Sequence, residues 1–300
     1  MLNKIKLFFC VVCLSGQVSA DPDSQVPVIF IHKSPSFYLN DSLWQAKQYN
    51  ERVILISDVK NGSYDGIEQY DIADYFKGAS YFATIYKHIA ENHYAYELFC
   101  FQRWFILKEF MQNKGINRCF YCDSDVMLYC NVTEEEKIFS QCDIVPLISP
   151  KGGYSGGISF WRFAGLEHFC LFVNEYYENK KNLEKWIAWF NSPRRKKGQG
   201  LCDMTIFKEY AKTLEAPMID IRTMVDNAVF DHIINSDEEG AYQMNEIEKG
   251  RKIKKVEWRG ALPYCYNIKE EKWVRFKCFH FQGSYCKNLM HDFRRAKSDF

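Results

Sequence analysis

Net charge is nearly absent from this sequence, and so are the features that divide a chain into pieces. Over 300 residues, 39 Lys and Arg face 38 Asp and Glu, leaving a formal charge of +1. That balance argues against a general nucleic-acid binder, which carries a basic excess. With only 8 prolines, no Ser/Gly-rich linker and no internal repeat, a single domain is the simplest organisation. No apolar run reaches the roughly 20 residues that a bilayer-spanning helix needs, so no transmembrane span is expected. Apolar and aromatic residues are plentiful, at 47% and 17%. That is enough for a sizeable core and excludes a disordered chain. Most of the rings belong in that core rather than against a ligand.

The first twenty residues read as a signal peptide. Lys4 and Lys6 form a charged start, Leu7 to Leu14 a short apolar region, and Val18-Ser19-Ala20 a small-residue cleavage site. A short uncleaved anchor is the alternative. Export places residues 21–300 in a secretory lumen, such as the ER or Golgi, or outside the cell, or in a bacterial envelope. Removing Cys10 and Cys13 leaves ten of the 12 cysteines, and in an oxidising compartment some of these are expected to pair. Asn40, Asn61 and Asn131 each begin an N-x-S/T triplet, an acceptor for glycosylation where the host performs it.

Val26 to Ile31 reads as a buried strand ending at His32, Ser42 to Tyr49 as a short helix, and Arg52 to Ile56 as a second strand ending at Ser57-Asp58. Strand, helix, strand at this spacing predicts a βαβ unit and a parallel sheet. Ligands in such sheets sit outside the C-terminal strand ends, which makes His32 and Asp58 candidates for contact. Tyr94 to Asn113 predicts a long helix closed by Gly115. Arg118 to Cys122 reads as a strand, and Asp123-Ser124-Asp125 follows it. Strands are also expected at Asp143 to Leu147 and Gly157 to Trp161, and helices at Leu166 to Tyr177 and Leu183 to Phe190. Ser192 to Gly200, with four basic residues from Arg194 to Lys197, is a loop by composition.

Aspartates at i and i+2 of an extended segment point to one side. Two carboxylates there can hold a hard divalent cation together with phosphate oxygens. Such a cation stabilises charge growing on a diphosphate leaving group. Spacing alone is weak evidence, because Asp21-Pro22-Asp23 repeats it at the start of the mature chain. Context separates the two triplets: Asp123 and Asp125 end an apolar strand, where bare carboxylates are costly without a cation or partner.

Phe120-Tyr121-Cys122-Asp123-Ser124-Asp125-Val126 resembles the apolar strand and Asp-x-Asp motif of GT-A glycosyltransferases, which use nucleotide-sugar donors. His280-Phe281-Gln282-Gly283-Ser284-Tyr285-Cys286-Lys287 resembles the His-x-x-Gly-x-x-Lys element of glycosyltransferase family 8 and its relatives. It departs from that element by one extra residue before Lys287 and lacks the following Pro-Trp. The resemblance implies a GT-A-like, Rossmann-like α/β fold: a mixed, mostly parallel sheet flanked by helices, in one domain. It implies Asp123, Asp125 and His280 as ligands of Mn2+ or Mg2+, with Asp123 and Ser124 near the donor and Gly283 and Lys287 on its diphosphate. Arg103, in Gln102-Arg103-Trp104, is placed near the donor by the same resemblance, with a structural ion pair as the other reading. Gly156 and Gly157, in Tyr154 to Ser159, would make room for a sugar. Asp203 would face the donor sugar or acceptor, or cap its helix.

The function implied is sugar transfer from a nucleotide-diphosphate sugar, UDP-linked by prior, to a hydroxyl of a glycan, protein or lipid. Retention of anomeric configuration is favoured; inversion would need a general base, and Asp203 is the candidate. Two rivals remain. A disulfide-linked glycan-binding protein or inactive transferase fits the cysteines and rings. A haloacid-dehalogenase-type phosphatase also opens on Asp-x-Asp, but Met127 stands where that family has Thr or Val, and no glycine precedes an aspartate.

Overall fold

The structure is a computed structural model that describes residues 25–58, 64–195 and 200–297. The signal-peptide reading, Asn61 and the second half of the basic run lie outside the described residues. The elements run β1 (Val28–His32), α1 (Leu39–Tyr49), β2 (Val53–Ser57), β3 (Glu68–Asp71), α2 (Lys77–Ile85), α3 (Tyr94–Lys114), β4 (Arg118–Cys122), β5 (Val126–Leu128), α4 (Val132–Glu136), β6 (Ile144–Ile148), β7 (Tyr154–Arg162), α5 (Phe163–Glu178), α6 (Lys180–Phe190) and α7 (Asp203–Ala211). Seven strands and a short helix follow: β8 (Ala228–Val229), β9 (Met244–Glu248), β10 (Arg251–Lys254), β11 (Val256–Arg259), β12 (Leu262–Asn267), β13 (Lys272–Phe276), β14 (Cys278–His280) and α8 (Ser284–Lys287).

The main sheet has six strands in the order β3-β2-β1-β4-β7-β6. β3, β2, β1 and β4 are mutually parallel, while β7 runs antiparallel to both β4 and β6. This is the mixed, mostly parallel α/β fold expected. Fully buried apolar strands such as β1 and β2 require cover on both faces. One face packs on α3, α5 and α7 through Trp104, Phe105, Phe169 and Phe207. The other meets α1 through Leu39, Leu43 and Ala46. α3 ends as its sequence requires: Gly115 takes a left-handed conformation at φ 65°.

After β7 the chain builds a second, four-stranded sheet, β11-β12-β13-β8, and a β9–β10 hairpin. Its core joins Val274, Phe276 and Phe279 to Tyr49, Met127 and Tyr129 of the first half. β14 leaves this region and pairs antiparallel with β5, immediately beyond β4.

The disulfide expectation is corrected. All ten described cysteines are free, and seven are buried. Cys119 and Cys122 lie in the apolar clusters on opposite faces of the sheet, as alternation along a strand dictates. Burial raises their thiol pKa values and disfavours the thiolate. Of the triplet asparagines, Asn40 is exposed on α1, whereas Asn131 caps α4 by accepting from the backbone N–H of Thr133 and Glu134. No described helix is long and apolar enough to cross a membrane.

Candidate metal centre

β4 delivers its two carboxylates at the middle of the sheet. Asp123 N–H donates to the Gly157 carbonyl at 2.7 Å, and Val126 N–H returns to the Asp123 carbonyl at 3.1 Å, turning the chain into β5. Pairing of β5 with β14 sets His280 opposite Val126, and Phe281 N–H donates to the Asp125 carbonyl at 2.8 Å. A separation of 155 residues in sequence is thereby closed by two short strands. One ligand atom from each of Asp123, Asp125 and His280 lies within 4.8 Å of the others.

Backbone contacts also orient the imidazole. His280 Nδ1 lies 3.0 Å from the His232 carbonyl. A carbonyl only accepts, so Nδ1 carries the proton, and Nε2 is the atom turned towards Asp125 Oδ1 at 3.4 Å. That is the arrangement of a metal-binding histidine whose other nitrogen is fixed by a hydrogen bond. Two carboxylates and one imidazole suit a divalent cation.

Without a cation the cluster is neutralised by its own cations. Burial works against charge on His280, but Asp125 and Asp123 outweigh it and lift the imidazole to about 9. Burial likewise opposes charge on Asp125, but His280 and Lys287 overcome it and hold the carboxyl at about 2. Lys287 Nζ lies 3.2 Å from Asp125 Oδ2 and also sits over the Tyr38 ring. At Asp123 burial wins and its pKa is raised, against the opposing pull of Arg103.

Arg103, on α3, joins two carboxylates: it meets Asp123 Oδ1 at 2.6 Å and Asp203 Oδ2 at 2.7 Å. Its guanidinium stacks on Trp104, and Tyr121 Oη donates to Asp123 Oδ1 at 3.1 Å. Asp203 is buried as the first residue of α7, with Cys202 in the cap position. Its Oδ1 accepts from Met204 N–H, so both oxygens are engaged.

The glycines of β7 serve the protein's own side chains. A Cβ on Gly157 would stand 2.3 Å from Asp123 Oδ2, and one on Gly156 would stand 2.4 Å from the Trp104 ring. The room at Gly156 is thus filled by tryptophan rather than left for a sugar. Gly283 adopts φ 89° with open space around it.

Ser124 Oγ pairs with His32 Nδ1 at 2.9 Å, and His32 Nε2 pairs with Ser36 Oγ at 3.0 Å. Burial lowers the His32 pKa, so the ring is neutral and serves as a strut. Asp58 is not drawn into the cleft: it is exposed and accepts from Ser34 N–H at 2.8 Å. That contact steadies a loop in which Ser34 holds a positive φ.

Two cavities flank the cluster. One, of about 300 Å3, is lined by His32, Tyr38, Tyr96, Phe99, Arg103 and Lys287, among others. The second, of about 190 Å3, is lined by Tyr154, Gly157, Met204, His232, His280 and Gln282, among others. Tyr38, Tyr96 and His232 belong to no motif of the sequence, and Gln282 fills an unspecified position of the His280 to Lys287 element.

No family model matches the sequence, and no curated protein does. Among solved structures the chain is similar to mouse xyloside xylosyltransferase 1, at 8% identity and a TM-score of 0.46, over 69% of this chain and 88% of that one. It is also similar to a glycosyltransferase involved in glycosylation of the major capsid of PBCV-1, at 11% and 0.41, over 89% and 100%. A cytidylyltransferase from Leptospira borgpetersenii is similar at 11% and 0.32, over 52% and 72%. At these identities and TM-scores the likenesses are too slight to assign a function.

Proposed function

We propose that the chain is a metal-dependent glycosyltransferase acting on a nucleotide-diphosphate sugar. One observation carries this reading: Asp123, Asp125 and His280 converge within 4.8 Å at the end of β4, with a cavity on either side.

Asp123, Asp125 and His280 Nε2 would hold Mn2+ or Mg2+, and that ion would supply charge neutralisation for a departing diphosphate. The protein's own groups divide the remaining work. Arg103 and Tyr121 pin Asp123 through Oδ1, leaving Oδ2 as the oxygen that would meet the ion. Lys287, a cation lining the same cleft, could exchange Asp125 for a phosphate oxygen. Tyr38, Tyr96 and Phe99 offer ring faces for a base in the larger cavity, and UDP is the proposed nucleotide. The smaller cavity, beside Gly157 and His280, is the place for the sugar and the attacking hydroxyl. Asp203, tied to Arg103 and to its own helix, is poorly placed to act as a general base, which favours retention. The same tie at Asp123 Oδ1 disfavours a phosphatase in which that carboxylate is the nucleophile. An exported, lumenal enzyme remains part of the proposal.

The test is a donor panel with Mn2+ in the assay, reading released nucleotide diphosphate. One nucleotide sugar should give metal-dependent release that an acceptor hydroxyl accelerates. Phosphate release from simple esters, with no turnover of any nucleotide sugar, would refute the reading.

A further inference from the structure

A third cavity opens beside the smaller of the two at the metal centre. It is about 450 Å3 and lies between the start of β10 and the segment from Gln282 to Cys286. Gln282 lines both this groove and the smaller cavity, so the two are neighbours. None of its lining residues lines the larger cavity that holds Arg103 and Lys287.

The lining has a single sign. Arg251 and Lys252 contribute two exposed cations, and no carboxylate of the described residues lines the groove. Glu248 and Glu246 of β9 are the register partners of Arg251 and Lys252, but Glu248 pairs with Lys249 at 3.8 Å and Glu246 accepts from Gly250 N–H at 3.1 Å. Neither Arg251 nor Lys252 has an ion-pair partner among the described residues. The Arg251 guanidinium instead lies 4.4 Å from the centroid of the Tyr285 ring. Stacking of this kind fixes the plane of the guanidinium and leaves its edge free for an anion. Tyr285 adds a second sign of an absent partner: its hydroxyl is buried and makes no hydrogen bond with the described residues. A buried hydroxyl left unpaired carries a cost unless something occupies the site.

We propose that this groove binds an anionic group, a carboxylate or a phosphate, carried by the acceptor on the part of the molecule beyond the hydroxyl that reacts. The assignment rests on the glycosyl-transfer reading, and it narrows the acceptor to acidic glycans or phosphorylated sugars. A neutral acceptor would leave two cations and a phenol unanswered at the mouth of the smaller cavity. Charge-assisted, planar contacts to Arg251 would supply both affinity and register.

The test uses the full chain without metal or donor, so that it reads the groove alone. Binding is measured by calorimetry for three probes: a glucuronate-containing tetrasaccharide, mannose 6-phosphate and a neutral maltotetraose. One or both acidic probes should bind, the neutral one should bind at least about tenfold more weakly, and Arg251→Ala with Lys252→Ala should cost about tenfold or more. The acidic probe that binds identifies the carboxylate or the phosphate as the anion. Both cations sit on an exposed hairpin, and Arg251→Lys, which keeps charge but loses the planar stack, should show an intermediate loss. Asp125→Ala should still bind the acidic probe. Equal binding of all three probes, or no effect of the double variant, would overturn the proposal. So would loss of nucleotide-diphosphate affinity in the double variant, titrated separately with Mn2+ present, which would place the groove on the donor side. Each of those outcomes leaves metal-dependent nucleotide release as a separate measurement, so this assignment can fail while the transferase reading stands.

Discussion

Gly157→Ala is a sharp perturbation of the candidate centre, because the added methyl meets one functional atom. Its Cβ would stand 2.3 Å from Asp123 Oδ2 and 2.9 Å from Asp123 Cγ, while Ser155 Oγ at 3.4 Å is an ordinary neighbour. Gly157 has no positive φ, so alanine brings no backbone strain, and the effect is confined to space. To restore normal contact the carboxylate must retreat by about 1 Å, and a misplacement of that size in a site costs on the order of 100-fold in rate. Retreat is resisted, because Asp123 Oδ1 is held by Arg103 at 2.6 Å and by Tyr121 at 3.1 Å. The variant should therefore lose Mn2+ affinity and about 100-fold in metal-dependent nucleotide release, equivalent to about 2.7 kcal/mol. Overpacking should lower its stability by only about 1–3 kcal/mol. The assay pairs Mn2+ titration with steady-state release, and a denaturant melt confirms the fold. A Gly157→Ala protein with unchanged metal affinity and unchanged turnover would refute the placement of Asp123 in the centre.

Two further outcomes follow from buried charge. With the imidazole of His280 at about 9 in the metal-free protein, a cation must displace a proton there. Mn2+ affinity should then rise about tenfold per pH unit below that value and level off above it; titrations at three pH values would show this, and a flat profile would contradict it. The sign for folding is opposite: the raised pKa stabilises the metal-free protein below the unfolded value of 6.5 and that stability is lost as pH climbs through about 9. Lys254, fully buried, pairs with Asp231 at 2.8 Å, and Asp231 accepts from the backbone N–H of His280 at 3.2 Å. Lys254 also meets Glu238 at 3.2 Å, so Lys254→Met should destabilise the fold by about 3–5 kcal/mol by leaving two carboxylates without their cation; a loss below about 1 kcal/mol in denaturant unfolding would contradict this.

The parts of the fold legible in the sequence are those whose signal is local. β1, β2, β4, β6 and β7 stand out as apolar runs, and α3 as a long, proline-free stretch stopped by Gly115. β3 did not stand out, because Glu68-Gln69-Tyr70-Asp71 is a polar edge strand with a half-exposed pattern. The second sheet stayed hidden for a related reason. β12 alternates half-buried and buried residues and begins with Leu262-Pro263, and its partners are four or five residues long. Its stability comes from packing on Tyr49 and Tyr129, contacts far away in sequence. Cysteine parity misled because counting carries no geometry, and Cys119 and Cys122 face different cores.

At the site, the convergence of Asp123, Asp125 and His280 was legible because Asp-x-Asp and His-x-x-Gly keep residue type and spacing, although Lys287 stands one residue further on. Their support was not. The Asp123–Arg103–Asp203 bridge joins residues from β4, α3 and α7, and nothing in Gln102-Arg103-Trp104 distinguishes a donor contact from an ion pair. The β7 glycines looked like space for a ligand. Only the positions of Trp104 and Asp123 show what fills it.

The central claim is that Asp123, Asp125 and His280 hold a divalent cation that transfer requires. Asp125→Ala tests it most directly, since Asp125 is the carboxylate nearest to both His280 and Lys287. With the best nucleotide-sugar donor and Mn2+, the account predicts a folded protein in which metal-dependent release of nucleotide diphosphate is abolished. Release at the unsubstituted rate, with the same dependence on Mn2+, would contradict it.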